Sequence, residues 1–94
     1  MKLEDNPELP SGVSIGQKMV DEFIAYTETK TMGTKTTVVR CVLRNGFEIV
    51  ESTGCVDEKN YSEKIGYEIC MERIKNKIWE LLGFLLQMEW NGIQ

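Results

Sequence analysis

The chain contains no histidine. That removes the side chain most used as a general base near neutral pH, and the commonest metal ligand. Zinc sites built on Cys and His cannot form, and three dispersed cysteines, Cys41, Cys55 and Cys70, are a poor substitute. Their odd number and wide spacing argue against a disulfide framework and point to a reducing compartment. Proline is scarce: Pro7 and Pro10 are the only two, both near the N-terminus. No apolar run approaches the roughly 18 residues of a membrane span. Met1–Pro10 is polar and acidic, without the apolar segment of a signal peptide. A basic excess is missing too. Fifteen acidic against eleven basic residues give a net charge of −4, which counts against a general nucleic-acid binder. A small anion can still be held, because a local cluster of Lys and Arg suffices on an acidic protein. These features predict a cytoplasmic protein with no membrane partner, no nucleic-acid polymer partner, no metal and no cofactor.

What remains is ordinary globular material, 41% hydrophobic and 28% charged over 94 residues. That length predicts one domain with a thin core, burying roughly 60–70% of the surface its unfolded form exposes. Residues 1–13 lack periodicity and read as a flexible arm, and 14–94 read as the domain. Ser14 can cap a short helix through Phe23, with Ile15, Met19, Val20 and Phe23 on one side. Two β-rich runs follow, Ile24–Thr31 and Thr36–Arg44, with Met32, Gly33 and Thr34 as the turn. In the second run Val39, Cys41 and Leu43 form an apolar face, opposite Val38, Arg40, Val42 and Arg44. Asn45-Gly46 then predicts a type I′ hairpin turn, and a third strand runs from Phe47 to about Ser52. Phe47 and Ile49 share one of its faces.

Asp57 or Asn60 can cap a short turn, and Ser62 can cap a long helix to about Trp90. Tyr67, Cys70, Ile74, Ile78, Leu81, Leu85 and Met88 recur at three- and four-residue steps as a core stripe. Ile69, Trp79, Leu82 and Leu86 widen it. The expected fold is α+β: a short N-terminal helix, a three-stranded antiparallel meander, and a long C-terminal helix packed on one sheet face. One sheet cannot easily cover both helix stripes, so self-association is expected, unless the N-terminal helix alone supplies the cover.

No catalytic set stands out. Gly12 and Gly16 lack the Lys-Ser/Thr of a phosphate loop. Cys41 and Cys70 fall on apolar stripes, and Cys55 has no histidine to activate it. The carboxylates Glu48, Glu51, Asp57 and Glu58 read as surface charge. A basic and aromatic set is more suggestive. Arg40 and Arg44 share a strand face, while Arg73 with Lys77, and Lys75 with Trp79, lie four apart on the helix. Asn60 and Tyr61 precede it. Guanidinium groups suit phosphates and aromatic rings suit base stacking. The same helix residues, interspersed with Glu68, Glu72 and Glu80, also fit a solvated salt-bridged face.

The run Val39-Arg40-Cys41-Val42-Leu43-Arg44-Asn45-Gly46-Phe47 resembles a core motif of the small tailed-phage gene-product forty-nine/sixty-six-like family. So do Cys55-Val56-Asp57 with Asn60-Tyr61 and Ile65-Gly66, and Lys77-Ile78-Trp79 with Leu82-Gly83-Phe84-Leu85. Together these blocks span about Phe23 to Leu86. Tyr61 stands where Phe is frequent, and Cys70 where a small Ala is common. The resemblance implies a phage accessory protein. By analogy with other small phage proteins that sequester host alarm signals, it implies a non-enzymatic sponge. Its ligand would be a cyclic dinucleotide of CBASS immunity, such as 3′,3′-cGAMP, held uncleaved in the host cytoplasm. On that reading Arg44, Arg73 and Lys77 take the phosphates, Tyr61 and Trp79 stack on bases, and Asn60 reads a base edge. The protein would be a homo-oligomer, dimer or tetramer, since a two-fold axis repeats each contact. The alternatives are a module that blocks a host protein, and a small metal-dependent hydrolase using the loop carboxylates.

Overall fold

The computed structural model describes residues 15–92. The expected N-terminal arm and the Ser14 cap lie outside them. The elements run α1 (Gln17–Phe23), β1 (Ile24–Met32), β2 (Thr36–Leu43), β3 (Glu48–Gly54), a single 3₁₀ turn (Glu58–Asn60) and α2 (Glu63–Asn91). The fold is therefore α+β with the expected meander. Two compact units are distinguished. One comprises Ile24–Ile74, and the other comprises α1 with α2 from Lys75 onward.

In the first unit the three strands pair antiparallel in the order β1-β2-β3. Strict alternation in β2 sets the layers. Thr37, Val39, Cys41 and Leu43 are buried, and the residues between them are half-buried. Burial pushes the Cys41 and Cys70 thiols up from their ordinary value, as expected of core cysteines. The first turns of α2 lie across this face. Gly66, Cys70, Met71 and Ile74 are buried, and Cys70 Sγ reaches the Thr37 carbonyl at 4.0 Å. Gly66 makes the close approach possible, since a Cβ there would sit 2.6 Å from Thr37 Cβ.

The outer face is tied by charge. Arg40 donates to Glu48 through Nε at 2.6 Å and to Glu28 through Nη1 at 2.7 Å, joining all three strands. Arg40 in turn holds the Glu48 carboxyl below its usual range.

The hairpin at Asn45-Gly46 differs from the expected type I′ turn. That turn needs positive φ at both central residues, yet among the described residues only glycines have positive φ. Here the loop has three residues. Gly46 N donates to Leu43 O at 2.9 Å, closing a type I turn, and Gly46 itself takes φ 88°. Leu43 N then donates to Phe47 O at 2.8 Å. This is a type I turn followed by a glycine bulge. Asn45 Oδ1 accepts from Phe47 N at 3.0 Å. The bulge delays the ladder by one residue, so β3 starts at Glu48. Phe47 is exposed rather than sharing the buried face of Ile49.

Ser62 caps α2 as expected: its Oγ accepts from Ile65 N at 3.3 Å, and its carbonyl accepts from Gly66 N. Asp57 caps the 3₁₀ turn through Lys59 N. At the far end Gly92, φ 65°, donates to Met88 O and terminates the helix.

In the second unit α1 buries Met19, Val20 and Phe23, and α2 buries Ile78 and Leu82. The expected stripe is corrected here. Leu81 and Leu85 are exposed, while Leu82 is buried. The buried row steps by four through Cys70, Ile74, Ile78 and Leu82, a spacing that keeps successive side chains nearly stacked. Lys75 Nζ pairs with Asp21 Oδ1 at 3.0 Å. Lys75 first, then Gln17, holds the Asp21 carboxyl below its usual value. A depressed carboxylate stabilises the fold above its unfolded pKa, and that contribution is lost as pH falls from there through the lower folded pKa. The pair is about half exposed, so the effect is small, no more than about 0.5 kcal/mol. Urea midpoints between pH 5 and 3 should fall slightly less for Asp21→Asn than for the parent chain.

Candidate functional site

A cavity of about 140 Å³ opens on the first unit. Its walls come from three short segments. Thr53, Gly54 and Cys55 end β3, Asn60, Tyr61 and Ser62 lead into α2, and Ile65, Gly66 and Ile69 form the first turns of that helix, with Thr37 completing the lining. The sequence builds this gap directly. Cys55 N still pairs with Lys35 O, but the chain then leaves the sheet through the Asp57-capped turn and enters α2 at the Ser62 cap. Glycines 54 and 66 line the space between strand and helix without side chains.

Tyr61 is anchored below this space. Its hydroxyl lies 2.7 Å from Thr31 Oγ1 and 2.8 Å from Thr37 Oγ1, and Thr31 Oγ1 donates to Glu63. An ionised carboxylate can only accept, which fixes the direction of the chain. Thr37 donates to Tyr61, Tyr61 to Thr31, and Thr31 to Glu63. Thr37 is fully buried, and among the described residues its hydroxyl finds its partner in Tyr61. Asn60 is exposed at the mouth.

Arg73 sits one helical turn beyond Ile69, and its Nη1 donates to the Ser52 carbonyl at 3.0 Å. Ser52 immediately precedes the β3 residues that line the cavity, but neither it nor Arg73 is itself part of the lining. In the alternating ladder Ser52 O points to the open edge of the sheet. Arg73 therefore also covers a free acceptor on an edge strand.

The other expected residues are not gathered here. Arg44 lies in the β2–β3 turn, at the opposite end of β2 from Thr37, which at about 3.3 Å per residue is more than about 20 Å away. Lys77 and Trp79 belong to the C-terminal half of α2, in the other unit; Lys77 is exposed and Trp79 is partly so. Arg40 is held by two carboxylates, which takes its guanidinium out of phosphate binding. Residues not expected at a site, Thr37, Thr53, Cys55 and Ile69, line the cavity. Ile69 reads from periodicity as helix core, and only its neighbours in space reveal the lining role. Among the described residues no group of His, Cys, Asp and Glu converges to hold a metal, and no helix is long and apolar enough to cross a membrane.

A meander backed by one helix, with a lateral cavity where the chain passes between them, defines a small α+β domain. Residues 15–89 match the Phage protein (N4 Gp49/phage Sf6 gene 66) family, and the chain belongs to it. No curated protein and no solved structure matches the chain.

Proposed function

We propose that this phage protein binds a host cyclic dinucleotide, such as 3′,3′-cGAMP, and sequesters it uncleaved in the host cytoplasm. The observation that carries the reading is the cavity itself, with Tyr61 and Asn60 in its wall and Arg73 held on the carbonyl of Ser52, next in sequence to the lining residue Thr53. An aromatic ring suits stacking on a base, an amide suits a base edge, and a guanidinium suits a phosphate. The small volume supports a shared ligand. About 140 Å³ lies well below the roughly 300–1,000 Å³ of pockets that enclose a drug-sized ligand. On this reading it takes one base. The second base and the phosphates must lie outside, where a second copy related by a two-fold axis repeats the first set of contacts. Arg44 would reach such a ligand only from another copy. The protein accordingly works as a homo-oligomer, a dimer or tetramer.

A second reading, a module that blocks a host protein, draws on the exposed apolar residues Phe84, Leu85 and Trp90 of α2. Calorimetry with 3′,3′-cGAMP, followed by denaturation and recovery of the ligand, separates the readings. The sponge predicts saturable binding and intact released nucleotide. Cleaved nucleotide would make the protein an enzyme, and no heat with any cyclic nucleotide would leave the blocking module.

A further inference from the structure

β1 is an edge strand, paired with β2 on one side only. The ladder fixes which of its backbone groups stay open. Leu43 N donates to Phe47 O, and Cys55 N to Lys35 O, so the odd-numbered residues of β2 bond toward β3. Along an antiparallel strand the bonding side alternates from residue to residue. The even-numbered residues of β2 therefore bond toward β1, where they face Tyr26, Glu28, Lys30 and Met32 in register. That turns the N–H and C=O of Thr27, Thr29 and Thr31 outward. Among the described residues no other strand or loop backbone pairs with these groups. The side chains of Tyr26, Glu28, Lys30 and Met32 alternate with them and are all exposed.

We propose that the β1 edge pairs antiparallel with the β1 edge of a second copy, across a two-fold axis at Thr29. The occupant follows from charge complementarity and from the hydrogen-bonding side together. With the axis at Thr29, that residue faces its own counterpart, and Thr27 faces Thr31 of the second copy. Every outward N–H then meets an outward C=O. The residues between them form the closer, non-hydrogen-bonded pairs. Glu28 falls opposite Lys30 of the second copy, and Lys30 opposite its Glu28. Tyr26 falls opposite Met32, an aromatic ring against a thioether. Glu28 already accepts from Arg40 through Oε1, but a carboxylate has lone pairs for a second cation. Neighbouring registers fail. Moving the axis to Glu28 or to Lys30 sets like charges directly opposite, which destabilises a strand pair. Moving it to Thr27 or Thr31 loses both charge pairs. A lysine on an edge strand ordinarily keeps other strands away. Here a second copy of the chain places a carboxylate against it, and pairing one patch with itself is the commonest closed arrangement.

This gives the proposed homo-oligomer a contact, and to that extent rests on that reading. The test contains no nucleotide, so either idea can fail while the other stands. Sedimentation equilibrium of the 94-residue chain should give twice the 10.8 kDa chain mass at high concentration. Amide hydrogen exchange at Thr27, Thr29 and Thr31 should slow as the dimer fills. Glu28→Lys and Lys30→Glu each set like charges opposite, and each alone should raise the dimer dissociation constant at least about tenfold. Mixed in equal amounts, the two variants should dimerise again, because the two lysines of one chain then face the two glutamates of the other. Should either variant lose its circular dichroism signal, Thr29→Pro is read instead. It removes an outward N–H at the axis, proline is tolerated at such an edge position, and the single-chain mass is expected. A single-chain mass for the parent protein overturns the proposal. So does a dimer whose Thr27, Thr29 and Thr31 amides exchange freely, an undiminished dimer in a folded variant, or a mixture of the charge variants that stays at the single-chain mass.

Discussion

Replacing Gly66 with alanine is expected to be the most damaging single-methyl change in the chain. The new Cβ would meet the Thr37 hydroxyl and stand 2.6 Å from Thr37 Cβ. Thr37 is fully buried in the central strand, so it has no room to turn away. Strand or helix must move, and every contact of α2 with the sheet moves too. Overpacking usually costs about 1–3 kcal/mol and more where backbone must shift. Here about 3–5 kcal/mol is expected, a large part of the roughly 5–15 kcal/mol that holds a domain together. Gly83→Ala is the matched control. It lies in the same helix with nothing within 4 Å of the added methyl, and helix propensity favours alanine by about 1 kcal/mol. The urea midpoint should fall sharply for Gly66→Ala and rise for Gly83→Ala. Equal midpoints for the two would refute the close approach of α2 to β2.

Substitutions at Tyr61 should separate its structural role from its proposed binding role. Tyr61→Phe keeps the ring but leaves the buried Thr37 hydroxyl without its partner. That is expected to cost about 1–3 kcal/mol of stability, with nucleotide affinity changed less than about threefold. Adding Thr37→Val removes the stranded hydroxyl, and the double variant should recover most of the loss, since deleting both partners of a buried hydrogen bond is nearly neutral. Tyr61→Ala removes the ring as well. If the ring stacks on a base, affinity falls about 5- to 150-fold, the equivalent of roughly 1–3 kcal/mol of stacking. The alanine variant must be tested where it is still folded, by circular dichroism, so that lost affinity is not lost structure. Unchanged affinity in folded Tyr61→Ala would remove Tyr61 from the site.

The sheet was legible in the sequence because one strand carries so regular a signal. The alternation of Val39, Cys41 and Leu43 with Val38, Arg40 and Val42 has only one reading on a half-covered sheet. The Ser62 cap was equally plain. The hairpin was legible in place but not in type. Asn45-Gly46 serves a two-residue type I′ loop and a three-residue bulged loop alike, and only the pairing of Leu43 with Phe47 chooses between them. On α2, Leu81 and Leu82 are adjacent and equally apolar, so hydropathy cannot say which faces inward. The candidate site divides in the same way. Asn60 and Tyr61 were visible as a polar and aromatic pair entering a helix. The carbonyl that holds Arg73 is 21 residues away in sequence, and the two carboxylates that hold Arg40 lie on different strands. Both are facts of register, which a single sequence does not display.

On the proposed function, the cavity between β3 and α2 receives the base of a cyclic dinucleotide. Titrating 3′,3′-cGAMP into the isotopically labelled 94-residue chain and following backbone amide resonances tests it directly. Saturable shifts are expected, concentrated at Thr53, Gly54, Cys55, Asn60, Tyr61, Ile65 and Ile69. Shifts confined to the β2–β3 turn around Arg44, or no shifts at saturating nucleotide, would contradict it.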